Sequence, residues 1–333
     1  MLTIYPRLGS SQASGVIPHG PGLILMGGGG DVDAAFVWMH DVIAGSQGGD
    51  GGDIVVLRAS GDYDYDPYLM KLARFNSVQT VKVEPKATVQ ELAKASAIVT
   101  RAQGVFFAGG DQANYVWWKG SSLAAAVQQV YDRGGVVGGN SAGLAIMGEW
   151  IYDSVAADAA GDDVEVTTKN AVPDPSEPII SFTHDLFVWP PMRGIITDTH
   201  FVQRDRLGRL AAFLARLEQH HGATNVMGLG IDTGTALLVD KHGVGRLVRN
   251  NPQGRALFLQ GGTAQPIRAG AALSYSSIRV TLLDKDGQTY DFIKRCARAL
   301  TYTIDVDGDK HPMYAPANPY VAPPSATMST CQS

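Results

Sequence analysis

The feature that most constrains this chain is a recurring unit: a short apolar run, a glycine turn, then a stretch with helical spacing. GLILMGGGG (22–30) ends in glycines, and AAFVWMHDVIAG (34–45) follows with apolar residues at helical intervals and a closing glycine. DIVVLRAS (53–60) is a second buried-strand run. SAIVTRAQGVFFAGGDQ (96–112) ends in another strand and glycine turn, SLAAAVQQVYDRG (122–134) is a helix closed by glycine, and GGVVGGNSAG (134–143) repeats the pattern. Apolar strands alternating with helices predict a doubly wound α/β fold, a mostly parallel sheet covered on both faces. Such sheets open a crevice beyond the C-terminal ends of their strands, so chemistry is expected on the glycine turns.

The rest of the chain adds to this unit. Residues 153–178 are polar, with DAAGDD and three prolines, and predict a surface excursion or hairpin. RDRLGRLAAFLARLEQHH (204–221) is spaced as an amphipathic helix, and VMGLGIDTGTALLVD (226–240) as two strands around a turn. From Gly243 to Asp305, short alternating runs with a hairpin signal at Asp286-Gly287 predict antiparallel strands added to the sheet edge. Residues 1–20 read as an extended arm, 21–308 as a single α/β domain, and 309–333 as an extended Pro-rich tail.

Apolar residues make up 45% of the 333 and charged ones 18%, which supports a large core and excludes a disordered chain. Lys and Arg number 27 against 32 Asp and Glu, a net charge of −5 without a basic cluster, so no nucleic-acid partner is expected. No apolar run reaches the roughly 18 residues that cross a bilayer, so no membrane partner is expected either. Cys296 and Cys331 are too few and too badly spaced for a disulfide framework or a zinc cluster, and neither is expected to matter for function. Cysteine poverty suits the cytoplasm, and equally an exported protein whose leader is not part of this sequence. The glycines at 27–30 fail the dinucleotide pattern because Asp33 takes the third glycine position. P-loop, H-E-x-x-H and EF-hand spacings are absent as well, so neither cofactor nor metal is expected.

The sharpest local signal is Gly139-Asn140-Ser141-Ala142-Gly143, a G-x-S-x-G string between a buried strand and an apolar helix. A serine on such a turn is strained, its hydroxyl lifted above the sheet, with the helix N-terminus beneath it. The plainer alternative is a glycine-rich turn in which Ser141 caps the helix. A nucleophilic serine needs a base, and imidazole is best poised near neutral pH. Of eight histidines, His19 and His311 lie in the terminal segments, His40 in the first helix, His220 and His221 at a helix end, and His242 in a KHG turn. His184 and His200 remain, and His200, at the end of RGIITDTH, stands where the crevice should be.

An orienting acid ahead of the histidine could be Asp153, Asp158, Asp162, Asp163, Asp185 or Asp198; after it, Asp232 in GLGIDTG is the best placed. The order Ser, His, acid would exclude the ordinary α/β-hydrolase arrangement. Backbone donors for an oxyanion are expected at Ala142 and at Gly110 in the neighbouring turn.

Four segments together resemble one family. FFAGGDQ (106–112), GGNSAG (138–143), DTHFVQRDRLGRL (198–210) and GLGIDTGTALL (228–238) are similar, in this order, to the cyanophycinases and their relatives, the S51 serine peptidases that include aspartyl dipeptidase E. The resemblance implies a flavodoxin-like sheet of the class I glutamine amidotransferase kind, with serine in place of the nucleophilic cysteine. It implies Ser141 as nucleophile, His200 as base and hydrolysis of peptide bonds involving aspartyl groups. The expected partner is then a peptide, first of all cyanophycin, cleaved to β-Asp-Arg dipeptides. Gln112, Arg204, Arg206 and Arg209 match positions that line or support the substrate site, with Asn140, Thr199 and Gln203 as further candidates. Arg206 and Arg209, three apart, would share a helix face, and a guanidinium can grip a carboxylate bidentately.

Two positions depart from the family. Asp198-Thr199-His200-Phe201 stands where D-Q-H-F is usual, and Gly230-Ile231-Asp232-Thr233 where G-I-D-E is common. Thr233 thus replaces the expected acid. Either Asp232 substitutes, a threonine and water relay the contact, or the protein is a catalytically weakened relative. A short-peptide exopeptidase and a non-catalytic binding module are the alternatives. Folds of this kind often pair, so a homodimer is expected.

Overall fold

The computed structural model describes residues 1–45, 48–61, 63–161 and 164–331 and arranges them around two β-sheets. The heart of the first sheet is parallel, in the spatial order Ser77–Val83, Asp53–Arg58, Gly104–Phe107, Val136–Asn140, Gly22–Met26. Gly22–Met26, Gly104–Phe107 and Val136–Asn140 are buried throughout, which is why they read as continuous apolar runs rather than alternating ones. One face is covered by the helix Asp33–Ala44 through Phe36, Met39 and Ile43. The other is covered by Ser122–Asp132, capped by the Ser121 hydroxyl on the Ala124 amide and buried through Leu123, Val127 and Val130. The sheet is therefore doubly wound. Because the strands Gly104–Phe107, Val136–Asn140 and Gly22–Met26 are neighbours, their three glycine turns converge at one end.

Antiparallel strands extend this sheet at both edges. Thr235–Val239 pairs with Gly22–Met26, and Leu2–Ile4 and Leu8–Gly9 lie along Ser77–Val83. The antiparallel part goes further than an edge, however. A second sheet runs Tyr314–Ala315, Leu300–Asp307, Ser274–Leu283, Ala256–Gln260, Met227–Ile231, Ile195–Asp198, Trp150–Tyr152, Phe182–His184. Its Met227, Leu229, Ile231 and Phe258 share a core with Leu23, Val55 and Phe107 of the first sheet. Its other face packs the helix Leu207–His220 through Leu210, Phe213 and Leu214.

This second layer overturns several local expectations. The two strands of VMGLGIDTGTALLVD belong to different sheets, so the turn at 232–234 bridges them. Asp286-Gly287 makes no hairpin: it joins Ser274–Leu283 of the second sheet to Thr289–Asp291 of the first. A turn signal marks reversal, while packing chooses the partner strand. The polar segment 153–178 holds the short helices Val155–Ala160 and Thr168–Ala171 rather than a hairpin; its Asp162 and Asp163 lie outside the described residues.

Cys296 and Cys331 form a disulfide with a Cα separation of 5.2 Å. Their spacing of 35 residues gave no hint of it, because the tail returns to the sheet: Tyr314–Ala315 and Thr327–Met328 both pair with Leu300–Asp307. Among the described residues no helix is long and apolar enough to cross a membrane.

Candidate active site

Ser141 follows the strand Val136–Asn140 directly, with φ 55° and ψ −115°, a region a β-carbon disfavours. The flanking glycines are required by contact. A β-carbon at residue 139 would meet the Gly143 carbonyl carbon at 2.4 Å, and one at 143 would meet the Phe107 carbonyl oxygen at 2.3 Å. That is the physical content of the five-residue string. The expected apolar helix is a single turn, Ala142–Ala145, so its dipole is small and stabilisation of an anion falls to individual N–H donors. Gly110 and Ala142 both border the crevice beside Ser141 and His200.

His200 Nε2 lies 2.9 Å from Ser141 Oγ. His200 stands two residues past the strand Ile195–Asp198 of the second sheet, with φ 47°, and its amide donates to the Gly27 carbonyl at 2.7 Å. The imidazole rests on Gly28, where a β-carbon would fall 2.3 Å from Nε2. Burial, reinforced by the nearby Arg204 and Arg206, lowers the His200 pKa to about 4. The ring is thus neutral near pH 7 and able to accept a proton.

Asp232 does not orient this ring. Its carboxylate accepts from the backbone amides of Val202 at 3.0 Å and Arg255 at 3.2 Å, and lies 3.5 Å from Arg255 Nε. Asp232 therefore braces the turn that carries His200, and burial pushes its own pKa up to about 6. Thr233 packs beside Gly29 and takes the Gln203 side-chain oxygen on its amide; among the described residues neither it nor any carboxylate bonds Nδ1. The remaining acids serve elsewhere. Asp153 holds Ser181 and Thr183, Asp185 pairs with His184, and Asp158 lies on the helix Val155–Ala160.

Two cavities meet at Ser141. The smaller, about 70 Å³, is bordered by Gln112, Thr199, Arg204, Arg206 and Arg209. Arg209 was expected to grip substrate, but its guanidinium is bidentate on the buried Asp198, at 2.6 and 2.8 Å, and donates again to the Val166 carbonyl. Arg206 precedes the helix rather than sharing its face; it holds both oxygens of Thr199 at 3.0 Å and Glu165 at 2.6 Å. Arg204 is the loosest of the three, half-exposed and 3.6 Å from Glu165. Gln112 donates to the Ser154 hydroxyl at 2.7 Å, while Gln203 is exposed and braces Thr233 instead of lining the cavity.

The larger cavity, about 660 Å³, lies on the other side of Ser141 among Asp31, Arg58, Asp64, Tyr65, Tyr68 and Asn140. Asn140 belongs here rather than with the arginines. Its Nδ2 donates to Asp31 at 2.8 Å, and Tyr65 donates to the same oxygen at 3.0 Å. Burial outweighs those hydrogen bonds and raises the Asp31 pKa. Sequence reading missed this side; the only signal was a cluster of acids and tyrosines at two strand ends. Among the described residues no cluster of three His, Cys, Asp or Glu is arranged to hold a metal.

The fold and the site define the class, a doubly wound α/β protein with a serine hydroxyl and an imidazole in contact at the strand ends. In sequence the chain is 26% identical over 152 residues to cyanophycinases from Synechococcus elongatus and from Thermosynechococcus vestitus. The match spans 45% of this chain and 40% of each relative. In fold it is similar to a crystal structure of a peptidase from an acI-B1 Actinobacterium, with a TM-score of 0.50, 15% identity, and coverage of 77% of this chain and 97% of the other. No protein-family model matches. These likenesses support the S51-like resemblance that the motifs carried.

Proposed function

We propose that this protein is a serine peptidase that cleaves β-linked aspartyl peptides, cyanophycin being the first substrate to test. The observation that carries the reading is the 2.9 Å contact between a strained, crevice-facing Ser141 hydroxyl and a His200 kept neutral by its surroundings. His200 Nε2 takes the Ser141 proton as Oγ attacks the acyl carbon, and the carbonyl oxygen, now negative, turns to the amides of Gly110 and Ala142. Collapse breaks the C–N bond, and the protonated imidazole returns its proton to the departing amine. Water then repeats the sequence on the acyl-enzyme, with His200 again taking and returning one proton.

The arginine side suits the carboxylate of an aspartyl group. Arg204, half-exposed and paired with Glu165 only at 3.6 Å, can turn toward it, Arg206 is held nearby, and Gln112 adds a neutral donor. Among the described residues no carboxylate meets Nδ1; the ring is placed by the backbone bond of His200 to the Gly27 carbonyl and by its packing on Gly28, and turnover is expected to be slow, since an orienting acid is worth about 10⁴ in kcat where it has been removed. The arrangement gives a second reading, a catalytically weakened binding module, the same motivation. The test is a fluorophosphonate probe together with cyanophycin, isoaspartyl and α-aspartyl dipeptides, products read by mass. Labelling of wild type but not of Ser141→Ala, with β-Asp-Arg released, is expected. Failure to label ends the hydrolase reading, and cleavage of α-aspartyl dipeptides alone ends the cyanophycin assignment.

A further inference from the structure

The turn that carries His200, Arg204 and Arg206 is held by a segment far away in the chain. The helix Leu207–His220 starts without a side-chain cap from its own N-terminus, yet its first amides are not left open. Leu207 N–H donates to the Tyr320 hydroxyl at 3.0 Å and Gly208 N–H to the Tyr314 hydroxyl at 3.2 Å. Both hydroxyls in turn donate to a single oxygen of Asp205, at 2.6 Å from Tyr320 and 2.9 Å from Tyr314. Asp205 sits between the two arginines with φ 46°.

Tyr320 reaches further. Its ring stands edge-on to Phe201, the neighbour of His200, at 5.9 Å, and its carbonyl accepts from Arg255, the arginine beside Asp232. Burial raises both phenol pKa values, so the hydroxyls stay protonated donors. The tail that carries them is anchored at both ends by pairing with Leu300–Asp307, by the Tyr302 hydroxyl on the Pro319 carbonyl at 2.7 Å, and by the disulfide.

We propose that Tyr314 and Tyr320 are positioning residues: through Asp205 they set where Arg204 and Arg206 stand, and so the grip on a substrate carboxylate. The inference rests on the peptidase reading above. Without the two hydroxyls, Asp205 loses both donors and the two helix amides lose their acceptors. Asp205 is then free to pair with the loosely held Arg204 and compete with substrate. Ser141 and His200, held by Gly27, Gly28 and Met26, are not disturbed.

The test uses the full chain and protection of Ser141 from a fluorophosphonate by free L-aspartate. In Tyr314→Phe/Tyr320→Phe, which keeps both rings, the half-protecting aspartate concentration rises about tenfold. The labelling rate without aspartate stays within about twofold, as expected when reacting groups keep their geometry. Asp205→Asn, which keeps an acceptor oxygen, falls between wild type and the double variant. An unchanged half-protecting concentration overturns the proposal, and so does a labelling rate that falls in step with protection, the mark of a merely structural role. If the double variant does not fold, Tyr320→Phe alone is read by the same two criteria. A wild type that resists the probe overturns the peptidase reading and this inference with it; a wild type that is labelled but that aspartate does not protect overturns this inference alone, and a labelled and protected wild type confines any failure to this inference.

Discussion

On one side of Ser141 the chain leaves about 70 Å³ among Gln112, Thr199 and three arginines, and on the other about 660 Å³ among two tyrosines, Asp31, Asp64 and Arg58. The small side comes from the second sheet and the turn after it, where most donors already have acceptors: Arg209 on Asp198, Arg206 on Thr199 and Glu165. The large side comes from the strand ends of the first sheet and opens to solvent. A committed, narrow, basic pocket discriminates by shape and charge, since an analogue lacking the carboxylate leaves charged donors unmatched. A wide cleft tolerates variation in what it receives. In the proposed reaction the first fits the aspartyl acyl group and the second the departing portion.

The contrast can be broken first at the point the two sides share. Ser141→Ala removes the proposed nucleophile from both and should lower kcat by about a further 10²-fold from a wild type already slowed by the lack of an orienting acid, leaving the pockets to bind, which steady-state kinetics and labelling would show. The committed character of the small side predicts a split between its arginines. Arg209→Leu strands the buried Asp198 and should cost about 3–5 kcal/mol of stability, read by denaturant unfolding. Arg204→Ala should leave unfolding unchanged while lowering kcat/KM for an aspartyl substrate about 10- to 100-fold, mainly through KM. If the two variants behave alike, the division between structural and ligand-facing arginine fails.

The pH dependence sharpens the same point. With His200 at about 4, kcat/KM should be flat near neutrality and fall only as pH drops through about 4. Arg204→Ala removes a repulsive charge, so that limb should move up toward the ordinary histidine value. For stability the sign is set by proton counts: between pH 6.5 and about 4 the unfolded chain binds more protons at His200 than the folded one. This contribution is complete above 6.5 and is lost as pH falls through 4. Asp232, raised to about 6, works oppositely over its own window, so the kinetic limb is the cleaner measurement. The smallest effect is expected on the wide side: Tyr65→Phe, which removes one hydroxyl from Asp31, should change kcat/KM less than about threefold for aspartyl dipeptides while altering preference among leaving groups.

What could be read from residues alone followed from local forces. The strand, glycine turn and helix units were legible because burial on both sheet faces demands unbroken apolar runs, as in Gly22–Met26 and Val136–Asn140. Ser141 was legible because its flanking glycines are required by contacts within a few residues and one neighbouring strand. His200 was found by its place after a strand end.

Asp232, Arg209 and the cysteines were misjudged for the converse reason. A carboxylate near a glycine turn, an arginine on a helix and two distant thiols have no fixed meaning until a second sheet decides which segments lie against them. The sequence by itself determined the parallel sheet, the crevice at its strand ends and the bend at Ser141. Tertiary structure alone decided that Asp232 holds a backbone turn instead of the imidazole, that Asp198 consumes the Arg209 fork, and that a Pro-rich tail returns to place two tyrosine hydroxyls on Asp205. The physical reason is range: steric and burial demands act within a unit, whereas hydrogen-bond and ion-pair partners depend on how separate units pack.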